Sequence, residues 1–288
     1  MIDYEILRLI WWLFIGVLLV GFAIMDGQDM GVGSLLPFLG KNDTDRRCMI
    51  NSVAPHWDGN QVWLLTGGGA IFAAWTLLYG AAFSGFYWAM LIVLLALILR
   101  PVGFDFRGKM AGTRWRNTWD WALFVGSAVP PIIFGVAFGN LLQGVPFHFD
   151  ESLRPFYTGS FFGLLNPFGL LCGVVSLLMI VFHGANYLVL RTDGDLQRRA
   201  MSISTISGVA TAALFILGGI WTYFGIDGMV VSAGLDPAGP SNPLLKTVDI
   251  AAGAWFTNFS NYPVLLLVPV LAILGAFGGV FFAKQMKG

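Results

Sequence analysis

Long apolar runs separated by short polar segments make up most of the chain. A helix needs about 17 to 25 mainly apolar residues to cross the hydrocarbon core of a bilayer. About seven runs reach that length and are expected to be transmembrane helices: 9–25, 55–78, 83–99, 122–142, 162–190, 202–224 and 263–282. The pattern predicts an all-α integral membrane protein, a polytopic helical bundle in which residues 1–288 form a single transmembrane domain.

The amino-acid composition further limits the class of protein to which the chain can belong. Hydrophobic residues make up 57% of the chain and charged residues 11%, with a mean hydropathy of +0.74. A soluble globular domain would carry about 25% charged residues, so that class is excluded. The 16 basic and 16 acidic residues cancel, which gives no basis for a nucleic-acid partner. Asp3 and Glu5 stand where a cleavable signal would have a basic cluster, so we expect no such signal.

Basic residues follow the first, third, fifth and last runs. They are Lys41, Arg46, Arg47, Lys109, Arg114, Arg116, Arg191, Arg198, Arg199, Lys284 and Lys287. By the positive-inside rule, these segments are expected to be cytoplasmic. This orientation places the N-terminus outside and the C-terminus of the chain inside, with a tight turn near 79–80 counted as an outer loop.

The most polar stretch inside a predicted span is 54–63, at the start of the second run. It carries an imidazole, a carboxylate, two amides and two indoles: His56, Asp58, Asn60, Gln61, Trp57 and Trp63. Pro55 is expected in the first turn of a helix, where its missing N–H costs nothing. Helical spacing then places His56, Asn60 and Trp63 on one face. Such groups are costly in a membrane helix unless they meet water, a partner or a substrate.

Further ionisable side chains follow the first and third runs. Asp26 and Asp29 share one helical face if the first helix continues. The alternative is a hydrophilic helix end with flexible glycines. Arg100 and Asp105 flank the expected end of the third span. The predicted orientation places all of these groups, together with the 54–63 stretch, toward the inner face of the membrane.

Three kinds of chemistry could use these groups. Haem ligation would need histidines, and His56 and His183 could in principle hold one haem, but their spacing does not favour it. Hydrolysis is set aside because no nucleophile motif is present. Proton or ion conduction fits carboxylates, an imidazole and amides gathered at one membrane face. The competing interpretation is that Arg100, Asp105 and Asp58 pair only to hold helix ends together.

Seven segments stand out as specific motifs: MIDYE at 1–5, DGQDMG at 26–31, PHWDGNQVW at 55–63, FSGFY at 83–87, RPVGFD at 100–105, TRWR at 113–116 and NPFGL at 166–170. Together they closely resemble subunit II of cytochrome bd quinol oxidase. The resemblance covers essentially the whole chain, and the motifs are specific to that family rather than generic features of membrane helices.

The resemblance implies a complex that oxidises quinol, reduces oxygen to water and takes protons from the inside. Its partner, subunit I, would hold haem b558, haem b595 and haem d, while this chain binds neither haem nor metal. This chain would support subunit I and line a proton path, with Asp58 and Asp105 as the main carriers. The weaker candidates are Asp26, Asp29 and His56, and the supporting residues are Arg100, Gln61, Asn60 and Trp63.

The family fold implies two four-helix bundles with a peripheral helix, which places a first bundle at about 1–142 and a second at about 160–288. Family members carry a further pair of spans, so the second bundle is expected to be incomplete. The resemblance also implies the bacterial cytoplasmic (inner) membrane, small single-span accessory subunits, and lipid or a structural quinone bound to the chain. The alternative is an independent secondary transporter with its site at broken helices, such as the span that contains Pro130 and Pro131.

Overall fold

The computed structural model describes residues 3–234, 236, 239 and 242–286. The helices in this part of the chain are α1 (Tyr4–Leu39), α2 (Asp43–Val53), α3 (Trp57–Ala74), α4 (Thr76–Gly85), α5 (Tyr87–Phe106), α6 (Thr113–Gln143), α7 (Pro167–Arg191), α8 (Gly194–Gly225), α9 (Thr257–Asn261) and α10 (Leu267–Gln285). The strands are β1 (Phe147–Phe149), β2 (Pro155–Tyr157), β3 (Asp227–Ala233) and β4 (Thr247–Ala252). They form two antiparallel hairpins, β1–β2 and β3–β4. The first two residues of the 1–5 motif and Lys287 of the predicted basic C-terminus lie outside the described residues.

Six of the described helices are long and apolar enough to cross a membrane: α1, α5, α6, α7, α8 and α10 with the short turn before it. They confirm the predicted class of all-α polytopic membrane protein. Six of the about seven predicted spans correspond to these helices. The difference lies in the second run, which is broken at Trp75, where a φ of −136° and a ψ of 67° interrupt the helix between α3 and α4. The turn expected near 79–80 falls inside α4, and that helix ends at Gly85, with Phe86 as its C-cap.

The longest helix, α1, has 36 residues and packs against α2, α3, α6 and α7. The first span was predicted to end at Met25, but the helix continues to Leu39. Almost all residues after Met25 are buried, whereas those before it are mostly exposed. The interpretation of Asp26 and Asp29 as a hydrophilic helix end is therefore wrong, and both carboxylates belong to the interior of the helix packing.

A close contact between glycines sets the position of the polar part of α1. A Cβ atom on Gly31 would lie 2.2 Å from the carbonyl oxygen of Ile180 and 2.7 Å from the Cα of Gly184 in α7. Small residues allow membrane helices to approach backbone to backbone. The absence of side chains at Gly31 and Gly184 is therefore what allows α1 and α7 to meet at this depth.

Gly31→Ala should force α1 and α7 apart and lower the free energy of unfolding by about 1–3 kcal/mol, the usual cost of overpacking. The measurement is the midpoint of thermal unfolding of the purified protein. Gly68→Ala is the matched control, because a Cβ atom there has no neighbour within 4 Å and alanine is the better helix former. Equal stability of the two variants would show that the glycine contact is not tight.

Charged loops and hairpins lie at opposite ends of the helices. The chain segments around α2 and the starts of α6 and α8 are joined by arginine–aspartate pairs. At the other end, Trp255 Nε1 donates to the carbonyl oxygen of Leu142 at 3.1 Å, which holds the segment after β4 near the end of α6. The β1–β2 hairpin packs there against α4. The candidate site described below lies toward the charged end.

Two predicted features of the helices have different outcomes. Pro130 and Pro131 lie inside α6, which continues through them without interruption, so this helix is not broken.

The proposed bundles at 1–142 and 160–288 are in direct contact, because α7 of the second bundle packs on α1 and α6 of the first. The division of the chain into these two bundles stays a prediction.

Candidate functional site

A buried ion pair joins α1 to α5. Arg100 Nη1 donates to Asp26 Oδ2 at 2.9 Å, and Nη2 donates to Oδ1 at 2.5 Å. Both side chains are fully buried. Opposite charges in this bidentate geometry neutralise each other, which is how two charges are tolerated away from water. Arg100 lies inside α5, which continues past Pro101 to Phe106, beyond the point where the span was expected to stop.

A second buried carboxylate, Asp29, lies one helical turn further along α1. Its Oδ2 accepts a hydrogen bond from Asn60 Nδ2 at 2.7 Å. Its Oδ1 lies 3.5 Å from His56 Nδ1, an ion-pair distance, and has no hydrogen-bond partner among the described residues. The Asn60 amide also lies 3.0 Å from His56 Nδ1. A buried carboxylate with one free oxygen therefore faces a titratable ring.

The tautomer of His56 follows from the contacts of its other ring nitrogen. Nε2 lies 3.2 Å from the carbonyl oxygen of Ser52, an atom that can only accept, so Nε2 carries a hydrogen. The Tyr187 hydroxyl lies 3.0 Å from Nε2 and donates to the same carbonyl oxygen at 2.7 Å. In the neutral ring, Nδ1 then accepts from Asn60. Nδ1 is therefore the ring atom that can gain a proton, and it faces Asp29.

His56 and Tyr187 line an open cleft of about 760 Å³ between α2 and the end of α7. The side chain of His56 is 35% exposed, whereas that of Asp29 is fully buried. The cleft gives solvent a route to the ring while the carboxylate behind it stays shielded. The partly exposed His56 ring and the buried Asp29 carboxylate are therefore in direct proximity, with 3.5 Å between Nδ1 and Oδ1.

Arginine–aspartate pairs hold the loops together at this end of the protein. The buried carboxylate of Asp120 binds Arg46 at 2.8 Å and Arg107 Nε at 2.5 Å. Asp43, near the mouth of the cleft, binds Arg107 at 2.9 Å and Arg116 at 2.7 Å. These contacts fix α2 against the end of α5 and the start of α6, and so they set one wall of the cleft.

Two carboxylates of α2 are held in their charged form by this network. Burial acts to raise the pKa of Asp43, but the hydrogen bond and charge of Arg107 and the charge of Arg116 outweigh it, so the pKa lies below its usual value. The same balance, with Arg199 at 2.6 Å as the main partner, lowers the pKa of Asp45. Both carboxylates therefore remain available to pair with arginine at neutral pH.

The two carboxylates that the resemblance favours as proton carriers, Asp58 and Asp105, lie outside this cluster. Both are exposed, and neither forms an ion pair with another residue that the structure describes. Trp57 stacks on Phe104 with ring centroids 4.9 Å apart, which brings the start of α3 beside the end of α5. The interpretation in which these carboxylates pair with Arg100 is wrong, because that arginine is bound within the α1–α5 pair.

The start of α3 differs from the prediction by a few residues. Its N-cap residue is His56, so Pro55 lies before the helix rather than in its first turn. The predicted shared face is confirmed for His56 and Asn60, which are in contact. Trp63 lies on the same side and packs against a glycine of α1. Gln61, on the other face, is half-buried.

The histidines of the described chain do not fit axial ligation of a haem. His183 Nε2 donates to the carbonyl oxygen of Ile24 at 2.8 Å. His148 lies in β1, stacked on Phe156 in the hairpin at the opposite end from His56. Both ring nitrogens of His56 are already in polar contacts. No two of these rings therefore present free nitrogens to a common centre.

The sequence-based prediction of site residues missed several members of the cluster and its surroundings, among them Tyr187, Ser52 and Asp120. Tyr187 had an available signal, because a polar group within an apolar membrane span needs a partner. Asp120 also had one, since a lone acid after a run of basic residues indicates pairing. Ser52 contributes a backbone carbonyl oxygen, which no side-chain pattern marks.

Comparison with known proteins identifies relatives over the whole chain. Residues 7–288 match the family model for cytochrome bd terminal oxidase subunit II. The chain is 61% identical over 287 residues to cytochrome bd-I ubiquinol oxidase subunit 2 of Escherichia coli K12, covering 100% of the chain and 76% of that relative. A probable cytochrome oxidase subunit 2 of Haemophilus influenzae is 56% identical with the same coverage. Cytochrome bd ubiquinol oxidase subunit 2 of Bacillus subtilis is 41% identical over 215 residues, covering 74% of the chain and 62% of the relative.

These relatives give no support to the alternative of an independent transporter. The helical membrane architecture, the motifs and the match over residues 7–288 agree with one another. The chain belongs to the cytochrome bd terminal oxidase subunit II family.

Proposed function

We propose that this chain is a subunit of a quinol-oxidising, oxygen-reducing terminal oxidase. In this proposal the chain itself ligates no haem, and it carries protons toward a haem-bearing partner subunit. Family membership makes the chain a subunit of a membrane oxidoreductase complex. The proton-carrying role rests on one observation: His56 Nδ1 faces a free oxygen of the buried Asp29.

The first step of the proposed path takes place at the cleft. A hydronium ion in the cleft gives its proton to Nδ1 of the neutral His56 ring and leaves a water molecule, since Nε2 already carries a hydrogen directed at the Ser52 carbonyl oxygen. The new Nδ1–H displaces the amide of Asn60 and reaches Asp29 Oδ1, which is 3.5 Å away. Transfer of the proton leaves a neutral ring and a protonated carboxyl group. The neighbouring side chains of Asp26 and Arg100 form an ion pair with each other and have no role in this step.

The second step is proposed for Asp58 and Asp105. Exposed carboxylates on membrane helices are costly unless water or a partner protein covers them. The stacked rings of Trp57 and Phe104 hold the two helices side by side, and each carboxylate follows one of those rings. We therefore place both groups at the surface that meets subunit I, where they pass protons to that subunit.

The partner and cofactors follow from the family in this proposal. The relative from E. coli is named as a subunit of a ubiquinol oxidase, and quinol is accordingly the proposed substrate of the complex. The resemblance to the family assigns haem b558, haem b595 and haem d to subunit I, and the polar contacts of His56 and His183 in this chain support that assignment. Small single-span accessory subunits complete the proposed set of protein partners, and nucleic acid is not among them.

An apolar groove on this chain fits the expected lipid or structural quinone. The groove has a volume of about 620 Å³ and lies between α1, α6, α7 and α8. Its walls include Phe22, Phe134, Phe168, Leu171 and Met179. Such a surface matches an acyl or isoprenoid chain and offers little to a polar headgroup.

The proposed location is the bacterial cytoplasmic membrane. The charged end, where Arg46, Arg107, Arg116 and Arg199 are gathered, is assigned to the cytoplasm by the positive-inside rule. The two hairpins then lie outside, together with the N-terminus. The C-terminal end of α10, which carries Lys284, lies inside.

Asp58→Asn should slow quinol-driven oxygen uptake by the purified complex about tenfold or more, because an amide cannot carry a proton. Asp58→Glu should retain part of the activity. A residue that only occupies the first turn of α3 would need no titratable group, and its replacement by asparagine would be mild. Haem content is measured in parallel, so that loss of assembly is not counted as slow turnover.

Asp193→Asn is the matched control for this experiment. Asp193 is exposed, lies at the same end of the protein and makes no capping hydrogen bond. Full oxygen uptake by an assembled Asp58→Asn complex would remove Asp58 from the path.

A further inference from the structure

We propose that the cleft beside His56 binds the phosphate group of an anionic phospholipid between Arg47 and Arg191. This inference does not depend on the proton path, because it concerns the mouth of the cleft and two residues that the path does not use. The cleft of about 760 Å³ is large enough for a lipid headgroup.

Two helix faces converge on this cleft. On α2, Thr44, Arg47 and Asn51 are spaced at three and four residues, so they lie along one face. On α7, Tyr187 and Arg191 are four residues apart, and the Arg191 guanidinium lies 5.5 Å from the centre of the Tyr187 ring. The cleft is therefore walled by two guanidinium groups, with neutral hydrogen-bond donors between them.

The two arginines differ from their neighbours in having no carboxylate in contact. Within the described part of the chain, Arg47 and Arg191 form no ion pair, and Arg47 acts on Asp43 only through its charge. Asp43 also lines the cleft, but Arg107 and Arg116 bind both of its oxygens and compensate its charge. The cleft thus has positive charge to spare for an anion.

A guanidinium group is suited to this ligand. It presents a planar fork of N–H donors that matches two oxygens of a phosphate, and it stays charged at every physiological pH. Basic pockets between membrane helices on the cytoplasmic side recognise acidic headgroups in this way. Arg191 is the last residue of α7, a helix long and apolar enough to span the membrane, so it lies at the depth of the headgroups.

Apolar surface for the acyl chains lies directly beside the cleft. Leu190 lies three residues after Tyr187, a lining residue of the cleft, so the two are neighbours on the surface of α7, and Leu190 is 60% exposed. An amphipathic ligand could therefore place its phosphate in the cleft and its chains along the outside of α7. Free inorganic phosphate has the same chemistry as the phosphate of a lipid headgroup, but it has no acyl chains to bury on this apolar surface. A binding experiment can therefore distinguish a phospholipid from free phosphate.

The test measures lipid binding to the purified, delipidated complex by native mass spectrometry. Phosphatidylglycerol is titrated against the wild type and against the double variant Arg47→Gln, Arg191→Gln, with phosphatidylcholine as the zwitterionic comparison. We expect the Kd for phosphatidylglycerol to rise about fivefold for each arginine removed, or roughly 25-fold for both. Binding of phosphatidylcholine should not change.

Two further variants keep the result interpretable. Arg114→Gln removes another exposed arginine, outside the cleft, and should leave the Kd unchanged. The double replacement by lysine keeps both charges but loses the guanidinium forks, so it should show an intermediate Kd. Haem content and the thermal midpoint confirm that each variant is assembled.

Several outcomes would overturn the proposal. One is a double glutamine variant that binds phosphatidylglycerol as tightly as the wild type does. Another is an equal loss in the Arg114→Gln control, which would indicate a diffuse charge effect. A third is inorganic phosphate that binds as tightly as phosphatidylglycerol with the same dependence on Arg47 and Arg191, which would make the cleft a site for free phosphate.

Discussion

Asparagine in place of Asp26 should destabilise the assembled complex by about 3–5 kcal/mol, because it leaves the Arg100 guanidinium buried without a counter-charge. The change is small in volume, so lost packing contributes little. The measurement is the midpoint of thermal inactivation of the purified complex, together with the yield of assembled complex. Arg100→Gln should have a similar effect, since it leaves the buried Asp26 carboxylate without its counter-charge.

The double variant Asp26→Asn, Arg100→Gln is the informative control. Two amides can still hydrogen-bond across the same helix contact, and neither is charged, so much of the lost stability should return. A double variant that is as unstable as the sum of the single variants would show that the two side chains are not coupled. In that case the buried pair would not be what stabilises the contact between α1 and α5.

Asp29→Asn should lower quinol-driven oxygen uptake about tenfold or more with little change in stability. The amide oxygen can still accept the hydrogen bond from Asn60, which in the native chain is 2.7 Å long. It cannot accept a proton from His56, so the proposed transfer is lost. Asp29→Glu should restore part of the turnover, because it returns a titratable group to the site.

Ser34→Ala is the matched control for this second prediction. Ser34 is a buried polar residue on the same helix, and its hydroxyl has no hydrogen-bond partner among the described residues. Its replacement should leave oxygen uptake unchanged. An assembled Asp29→Asn complex with wild-type turnover would contradict the path through His56 and would leave Asp29 as a structural acceptor for Asn60.

Contacts within one helix were predictable from spacing alone. The four-residue interval between His56 and Asn60 places them on one side, and the two side chains touch. The three-residue interval between Asp26 and Asp29 likewise predicts a shared face, and both are buried. In each case the spacing of the two residues along one helix determines that their side chains share a face, and this spacing can be read from the sequence.

Contacts between helices were not predictable in the same way. Arg100 pairs with Asp26, 74 residues away in the chain, rather than with the nearer charges of Asp58 and Asp105. Spacing along the chain does not tell which helix lies opposite, because that depends on close approaches such as the one at Gly31. The resemblance to a family supplied candidates for the proton path, but it ranked the exposed carboxylates above the buried pair of His56 and Asp29.

The continuity of α1 has a mechanical consequence. At about 1.5 Å per residue, its 36 residues form a rod of about 54 Å, well beyond the hydrocarbon thickness of about 30 Å. Its one proline, Pro37, lies near the far end, so nothing interrupts the rod between its lipid-facing part and Asp29. A thinner bilayer would tilt this helix as a single lever. We therefore expect the gap between Asp29 and His56 to respond to membrane thickness, so that entry along the proposed proton path would depend on the lipid composition around the oxidase.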